Sequence, residues 1–398
     1  TNLPPGKPFR APGGLAACWV IEQAADQIAH ERGVDPVAVR RPWGDNDLRT
    51  KLYDWVESLP VWRERPPTGS QSERFRRGVG VAFGQWIYAY DPATEIRLDV
   101  DKQGLTVTTA TQDIGNGVRT TLARTVAAVF GLQPQEVRVV VGNSSDPHGP
   151  TAGGSRVTNS VFAPTREAAE LMRDRLFGLV AEAQELEGAT AVDGGIQHSG
   201  GLLAWRDVWP QVEPQQVAIQ RGTDNQLVQR IGHFVLTRII GTDFTLGLGN
   251  SHGAIVAEVE VDTLLGKTRV LNMWINIAAG KIHVPDLARS QVYGGVAQGL
   301  GYALYEEKVT DPHTGHNLTL GLEDYRLVGV GDMPEVHVTF TEGGFEQAKG
   351  EGIGLAELAI TPVPAAVANA VFNATGWRPL TNPIQPERLL MGLQGQEA

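Results

Sequence analysis

The chain has 398 residues, 41% hydrophobic and 20% charged, with 47 glycines, 24 prolines and a net charge of -11, a composition that fits a turn-rich folded protein of two or three packed units. Its acidity and the lack of a basic stripe exclude a phosphate-tracking nucleic-acid role, and no apolar run reaches the roughly eighteen residues of a membrane span. A single cysteine, Cys18, excludes an internal disulfide, a CxxC zinc site and a four-thiolate iron–sulfur cluster.

The opening, Thr1-Asn2-Leu3-Pro4-Pro5-Gly6, lacks the basic and apolar regions of a signal peptide, so a soluble, cytoplasmic protein is expected, or a periplasmic one if a targeting segment was removed. Ala17, Ile21, Ala24 and Ile28 recur at helical spacing ahead of Gly33, which predicts an amphipathic helix over 15–32, and Asp35-Pro36 caps a second, short one. Residues 41–74 mix Trp, Pro, Arg and Asp without period and are expected to form a linker wrapping a surface, with a boundary near Glu73. From Gly78 the texture turns β-rich. Strands are predicted over 79–90, 95–100 and 105–111, then a helix through Leu122, Val126 and Val129 stopped by Gly131, then a strand over 137–141.

Residues 142–160 form a polar, glycine-rich loop of the kind that carries sites, and helical patterning resumes over 163–184. Alternation over 254–262 and 268–277 around Leu265-Gly266-Lys267 predicts a hairpin. A long helix over 285–307 carries Gly294, Gly295, Gly299 and Gly301, and a last helix spans 363–375 between Thr361-Pro362 and Gly376. The expected class is α+β: two similar layered α/β halves, about 74–245 and 246–398, preceded by a helical N-terminal segment at 1–73.

Several familiar motifs fail. Gly266-Lys267-Thr268 has Val261 where a P-loop needs glycine, Gly153-Gly154-Ser155 is not a GxSxG elbow, there is no HExxH, and the nine histidines show no ligand spacing, so no protein-held metal is expected. What remains are glycine-rich turns at helix starts: Gln112-Asp113-Ile114-Gly115-Asn116-Gly117, Gly153-Gly154-Ser155-Arg156, and Gly294-Gly295 with Gln298-Gly299. Such turns either cradle a phosphorylated cofactor on backbone N–H groups or permit tight turns and close packing. Four glycines in one predicted helix require a compensating close approach, by backbone or by ligand. Glu357, in a glycine-rich run before the last helix, suits a base, and Arg10, before the first helix, suits oxyanion stabilisation; equally, they are a solvated acid and a surface charge.

At these residues the sequence resembles, over nearly its whole length, the molybdenum-binding subunit of the xanthine dehydrogenase and aldehyde oxidase family of molybdenum hydroxylases, bacterial aldehyde oxidoreductases above all. The resemblance is carried by FRAPGG with the helix and DPVAVR that follow, TATQDIGNG, TAGGSRVTNS, QVYGGVAQGLGYALYEE and GLAELAITPVPAAVANAVFNATG, in the family's order. It implies a molybdenum hydroxylase acting on an aldehyde or N-heterocycle, with the metal held by molybdopterin, as the cytosine dinucleotide, rather than by side chains. Glu357 would take the proton from the oxygen that attacks the substrate, and Arg10 would orient substrate or stabilise negative charge. Gln112, Ile114, Gly115, Asn116, Gly117, Gly153, Gly154, Ser155, Arg156, Gly295 and Gln298 would contact the cofactor.

Family spacing around the acid also admits Glu351, but a gapless count back from Ala365 to Ala370 selects Glu357. The family's turn Asp and Asn are Ala278 and Val284 here, and nothing matches the upstream half of the molybdenum region. The chain therefore resembles the C-terminal half of that subunit, its first 73 residues the end of the first molybdopterin-binding domain. The implied partners are a second molybdopterin-binding subunit, a [2Fe-2S] subunit, and a flavin (FAD) subunit or other acceptor. A non-catalytic scaffold is the competing reading, and a serine hydrolase using Ser155 with His148 a distant third.

Overall fold

Residues 7–224 and 245–395 are described by a computed structural model of the chain. Cα packing divides it into two units: Thr1–Trp86 with Asn250–Gly344 and Leu355–Ala398, and Ile87–Gly249 with Phe345–Gly354. This differs from the expected division at Glu73 and 245. The N-terminal segment packs with the second half, because its polar side chains find their partners there, and a ten-residue loop from the second half joins the other unit.

The first unit holds a sheet in the order β1-β9-β10-β11, where β1 is Phe75–Tyr90, β9 Thr245–Asp262, β10 Lys267–Ala278 and β11 Glu335–Thr341. β9 and β10 form the predicted hairpin, turning at Gly266 (φ 66°), and β11 adds in parallel to β10. Its helices are α1 (Gly14–Arg32), α2 (Pro36–Arg40), α3 (Asp47–Ser58), α4 (Pro60–Arg63), α8 (Pro285–Leu304), α9 (Val363–Thr375) and α10 (Pro386–Leu393). Residues 41–74 are thus largely helical rather than a linker. Asn46 caps α3, accepting from the Arg49 N–H at 3.1 Å, and Leu48, Leu52, Tyr53 and Val56 bury its inner face.

α9 is buried along its whole length, which its alanines and valines allow. Gly78 and Gly80 of β1 leave no room for a Cβ against the backbone at Ala370, so helix and strand touch main chain to main chain. Asn369 and Asn373, one helical turn apart, serve the edge of β1: Asn373 Oδ1 accepts from Val79 N–H at 2.9 Å, and Asn369 Nδ2 donates to Val81 O at 3.0 Å.

The second unit holds a sheet in the order β4-β3-β2-β8, where β2 is Glu95–Asp101, β3 Gly104–Thr109, β4 Val137–Val141 and β8 Gln215–Gln220. Ile96, Leu98 and Val100 of β2 are buried and alternate with half-buried polar residues, so one face packs on α5 (Val118–Phe130) and α6 (Val157–Ala183). α6 begins six residues earlier than expected, immediately after Arg156, and carries Pro164 inside it. A second, small sheet of β5 (Thr190–Val192), β6 (Gly195–His198) and β7 (Gly201–Ala204), followed by α7 (Trp205–Val208), packs Trp205 and Trp209 edge-on against Phe130.

Candidate functional site

The candidate residues fall into two groups, one in each unit. In the first unit, Glu357 lies in consecutive turns that lead into α9, with its side chain buried. Glycines hold that lead-in from two sides. At Gly84 of β1 a Cβ would come within 2.5 Å of Thr361 Oγ1; on α8, a Cβ at Gly295 would come within 2.7 Å of the Ala359 carbonyl, and one at Gly299 within 2.5 Å of Val363. The close approach that the α8 glycines require is therefore made by protein backbone and side chain at Gly295 and Gly299, which gives Gly295 a packing role.

Gly294, one residue earlier, faces Arg10, whose Nη1 would lie 3.4 Å from a Cβ there. Arg10 is aimed by a tight turn in which Ala11 (φ 51°) and Gly13 (φ 74°) adopt left-handed backbone and Ala11 is fully buried. Its guanidinium makes four hydrogen bonds. Nε donates to Ala356 O at 2.8 Å, Nη2 donates to the same oxygen and to Gln291 O at 2.8 Å, and Nη1 donates to Gln298 Oε1 at 2.9 Å. Arg10 thus ties the residue next to Glu357 to two positions on α8. Burial pulls the guanidinium below its ordinary value, and the Glu357 carboxylate opposes that fall. Because the Gln298 oxygen accepts from Arg10, the amide nitrogen is the end that Gln298 can offer to a ligand.

In the second unit, the 112–117 turn and the 153–156 turn are tied together: Gln112 Oε1 accepts from the Ala152 N–H at 2.9 Å. Asn116 braces the first turn, donating through Nδ2 to Gln112 O at 3.2 Å and accepting from the Val118 N–H at the start of α5 at 3.1 Å. Ile114 and Gly115 are exposed at its tip, and beyond the flanking residues no atom lies within 4 Å of a Cβ position at Gly115 or at Gly153. In the second turn Gly154 and Ser155 have φ of 67° and 56°, and buried Arg156 donates through Nε to Thr151 O at 3.0 Å. Gly354 packs against the Ser155 backbone with no room for a Cβ. Glu351, the alternative acid, sits in the same loop as Gly354, in this unit.

The donor set of the second unit suits a large anionic organic group: open glycine turns at two helix N-termini, and the Gln112 side-chain amide, whose orientation is set by a protein hydrogen bond. Among the described residues, no group of three or more His, Cys, Asp and Glu side chains is placed to hold a metal ion, and no helix is long and apolar enough to cross a membrane. Sequence reasoning missed Gly84 and the backbone oxygens of Ala356 and Gln291. The glycines at 78, 80 and 84, at alternate positions at the start of and within the predicted strand, were the signal available.

Residues 55–334 match the molybdopterin cofactor-binding domain family, and residues 1–43 match a second family of the same description. The chain belongs to the molybdopterin cofactor-binding domain family. The aldehyde oxidoreductase molybdenum-binding subunit PaoC of Escherichia coli (strain K12) is 29% identical over 423 residues, which cover 98% of this chain and 52% of PaoC. The 6-hydroxypseudooxynicotine dehydrogenase complex subunit gamma of Paenarthrobacter nicotinovorans is 24% identical, over 99% of this chain and 52% of its own length. In fold, the chain is similar to quinoline 2-oxidoreductase from Pseudomonas putida 86, with a TM-score of 0.76 at 22% identity over 98% of this chain and 53% of that one. The chain spans about half the length of the curated relatives it matches, corresponding to the C-terminal half of the larger ones.

Proposed function

We propose that this chain is one half of the molybdenum-cofactor site of an oxidoreductase that hydroxylates an aldehyde or N-heterocycle, the other half being supplied by a second molybdopterin-binding polypeptide. The observation that carries the reading is the family membership together with a buried carboxylate, Glu357, in a glycine-packed lead-in, next to Ala356, whose carbonyl accepts two of the four hydrogen bonds that Arg10 donates. Molybdopterin, when bound, supplies the two-electron redox chemistry that no side chain of this protein can.

Glu357 is the general base, accepting a proton on its carboxylate from the attacking oxygen. Arg10 is a positioning residue: its bonds to Ala356, Gln291 and Gln298 fix the height of the base over α8 and the direction of the Gln298 amide. Gln298 and Gln112 offer oriented amides to the cofactor, and the turns at Ile114, Gly115, Asn116 and Gly117 and at Gly153, Gly154, Ser155 and Arg156 offer the positive ends of α5 and α6 to its phosphate, in the dinucleotide form to the pyrophosphate. Electrons leave through a separate [2Fe-2S] subunit toward a flavin or other acceptor, and the complex works in the cytoplasm.

The test is Glu357→Gln in the assembled complex. Folding and molybdenum content should stay intact while substrate-dependent dye reduction falls by about two to four orders of magnitude. Glu351→Gln should be nearly silent. A dead Glu351→Gln with a live Glu357→Gln would place the base at 351, and a wild-type complex devoid of molybdenum would leave the chain as a scaffold.

A further inference from the structure

α1 is turned inside out relative to an ordinary surface helix. Two charged residues in the middle of the helix point into the protein, and only its last turn carries exposed charge: Glu22 Oε2 accepts from the Phe83 N–H at 2.8 Å and pairs with fully buried Arg40 at 3.0 Å, and Asp26 pairs with Arg378 at 2.6 Å. Arg378 also donates to Gln27 and to buried Asn369 and lies over the Phe372 ring. With these partners the inward face is fixed. The outward face is then wholly apolar: between Ala16 and Ile28 the exposed residues are Ala16, Ala17, Val20, Ile21, Ala24 and Ile28, with Val20 64% and Ile21 57% exposed. A continuous apolar stripe without a single charge is what a buried contact looks like before its partner is added.

Two findings say what the partner is. Residues 1–43, which contain α1 and α2, match a different molybdopterin cofactor-binding domain family from residues 55–334. Two helices are too little chain to form a domain of their own. The remainder of that first domain corresponds to the half of the relatives that this chain does not span, the half upstream of the matched one. We propose that the exposed stripe of α1, centred on Val20, Ile21 and Ile28, is the docking surface for that upstream half of the molybdenum subunit, whose rim presents a complementary apolar surface. This rests on reading the chain as half of a molybdenum site and adds where the two halves join.

The test uses the tagged chain produced in its native host with the photo-cross-linking residue p-benzoylphenylalanine placed at Ile21, and in a second sample at Leu264, an exposed apolar residue of the β9–β10 hairpin turn. Mass spectrometry should find Ile21 joined to peptides whose sequence matches the first molybdopterin cofactor-binding domain, and Leu264 joined to none of them. Joining of Ile21 to a second copy of this chain, to an unrelated protein or to nothing, or equal yields from both positions, would overturn the proposal. As a second measurement, Ile21→Lys with Ile28→Lys should leave the thermal midpoint of the isolated chain unchanged and lower recovery of the upstream polypeptide at least about tenfold; undiminished recovery would also overturn it. Molybdenum is measured in the same samples. A cross-linked complex without the metal would defeat the functional reading and keep the interface, whereas a molybdenum-containing complex without the cross-link would defeat only the interface.

Discussion

The glycine packing that seats Glu357 can be tested with two adjacent residues of α8. An alanine at 295 sets its Cβ 2.7 Å from the carbonyl carbon and oxygen of Ala359 and 2.8 Å from its Cβ. Unstrained carbon contacts lie at about 3.5 to 4.0 Å, so the lead-in to α9 must retreat by roughly 0.8 Å. Overpacking of that kind costs about 1 to 3 kcal/mol. An alanine at 294 meets only Arg10 Nη1, at 3.4 Å, and needs no retreat. Both substitutions remove a glycine from a helix interior and each gains about 1 kcal/mol from propensity, so this contribution cancels in the comparison. Gly294→Ala should therefore be more stable than wild type, and Gly295→Ala less stable than Gly294→Ala by about 1 to 3 kcal/mol. Urea unfolding followed by tryptophan fluorescence measures the difference. If Glu357 is the base proposed above, a displacement near 1 Å at its carboxylate should cost Gly295→Ala about a hundredfold in dye-reduction turnover of the assembled complex, while Gly294→Ala stays near wild type. Equal unfolding midpoints and equal turnover for the two variants would refute the argument that protein packing, rather than a ligand, claims the space at Gly295.

Gln298→Ala removes an amide donor and the acceptor of Arg10 Nη1, and should lower molybdenum occupancy of the purified complex with folding intact; unchanged occupancy by metal analysis would count against a cofactor role for this amide. Stability should also depend on pH through His252, which burial, helped by the Arg49 charge, holds at a pKa of about 4 instead of 6.5. Above pH 6.5 the imidazole is neutral whether the chain is folded or not, so the shift has no effect there. As pH falls from 6.5 to about 4 the unfolded chain takes up the proton first, and stability declines by on the order of 3 kcal/mol. His252→Gln should flatten the unfolding free energy over that window, and an unaltered slope would show that other groups carry it.

Much of the architecture was legible because it rests on local pattern. The β9–β10 hairpin follows from alternation around Gly266, and α5 and α9 end at Gly131 and Gly376 in the left-handed backbone that their positions demand. Residues 47–58 escaped because the apolar set Leu48, Leu52, Tyr53 and Val56 is diluted by charges and tryptophan, and the capping Asn46 was the cue left unused. The short strands β5 to β7 are held by pairing with one another beside the Phe130, Trp205 and Trp209 cluster, and β8 by pairing with β2, none of which local periodicity reports.

At the site, the sequence by itself determined the parts: an acid before α9, an arginine before α1, amides and glycines at helix starts. Their spacing in the chain reflects local backbone requirements, so it can be read residue by residue. Only the tertiary structure decided what each part touches. Arg10 meets Ala356, Gln291 and Gln298 across more than 280 positions of sequence, and protein oxygens take four of its five N–H donors, so that it ties the residue next to Glu357 to α8. α1 makes the same distinction most plainly. Periodicity identifies two unlike faces, but which one turns inward depends on whether the interior supplies counter-charges, and Arg40 and Arg378, from outside the helix, supply them to Glu22 and Asp26, leaving the apolar face outside.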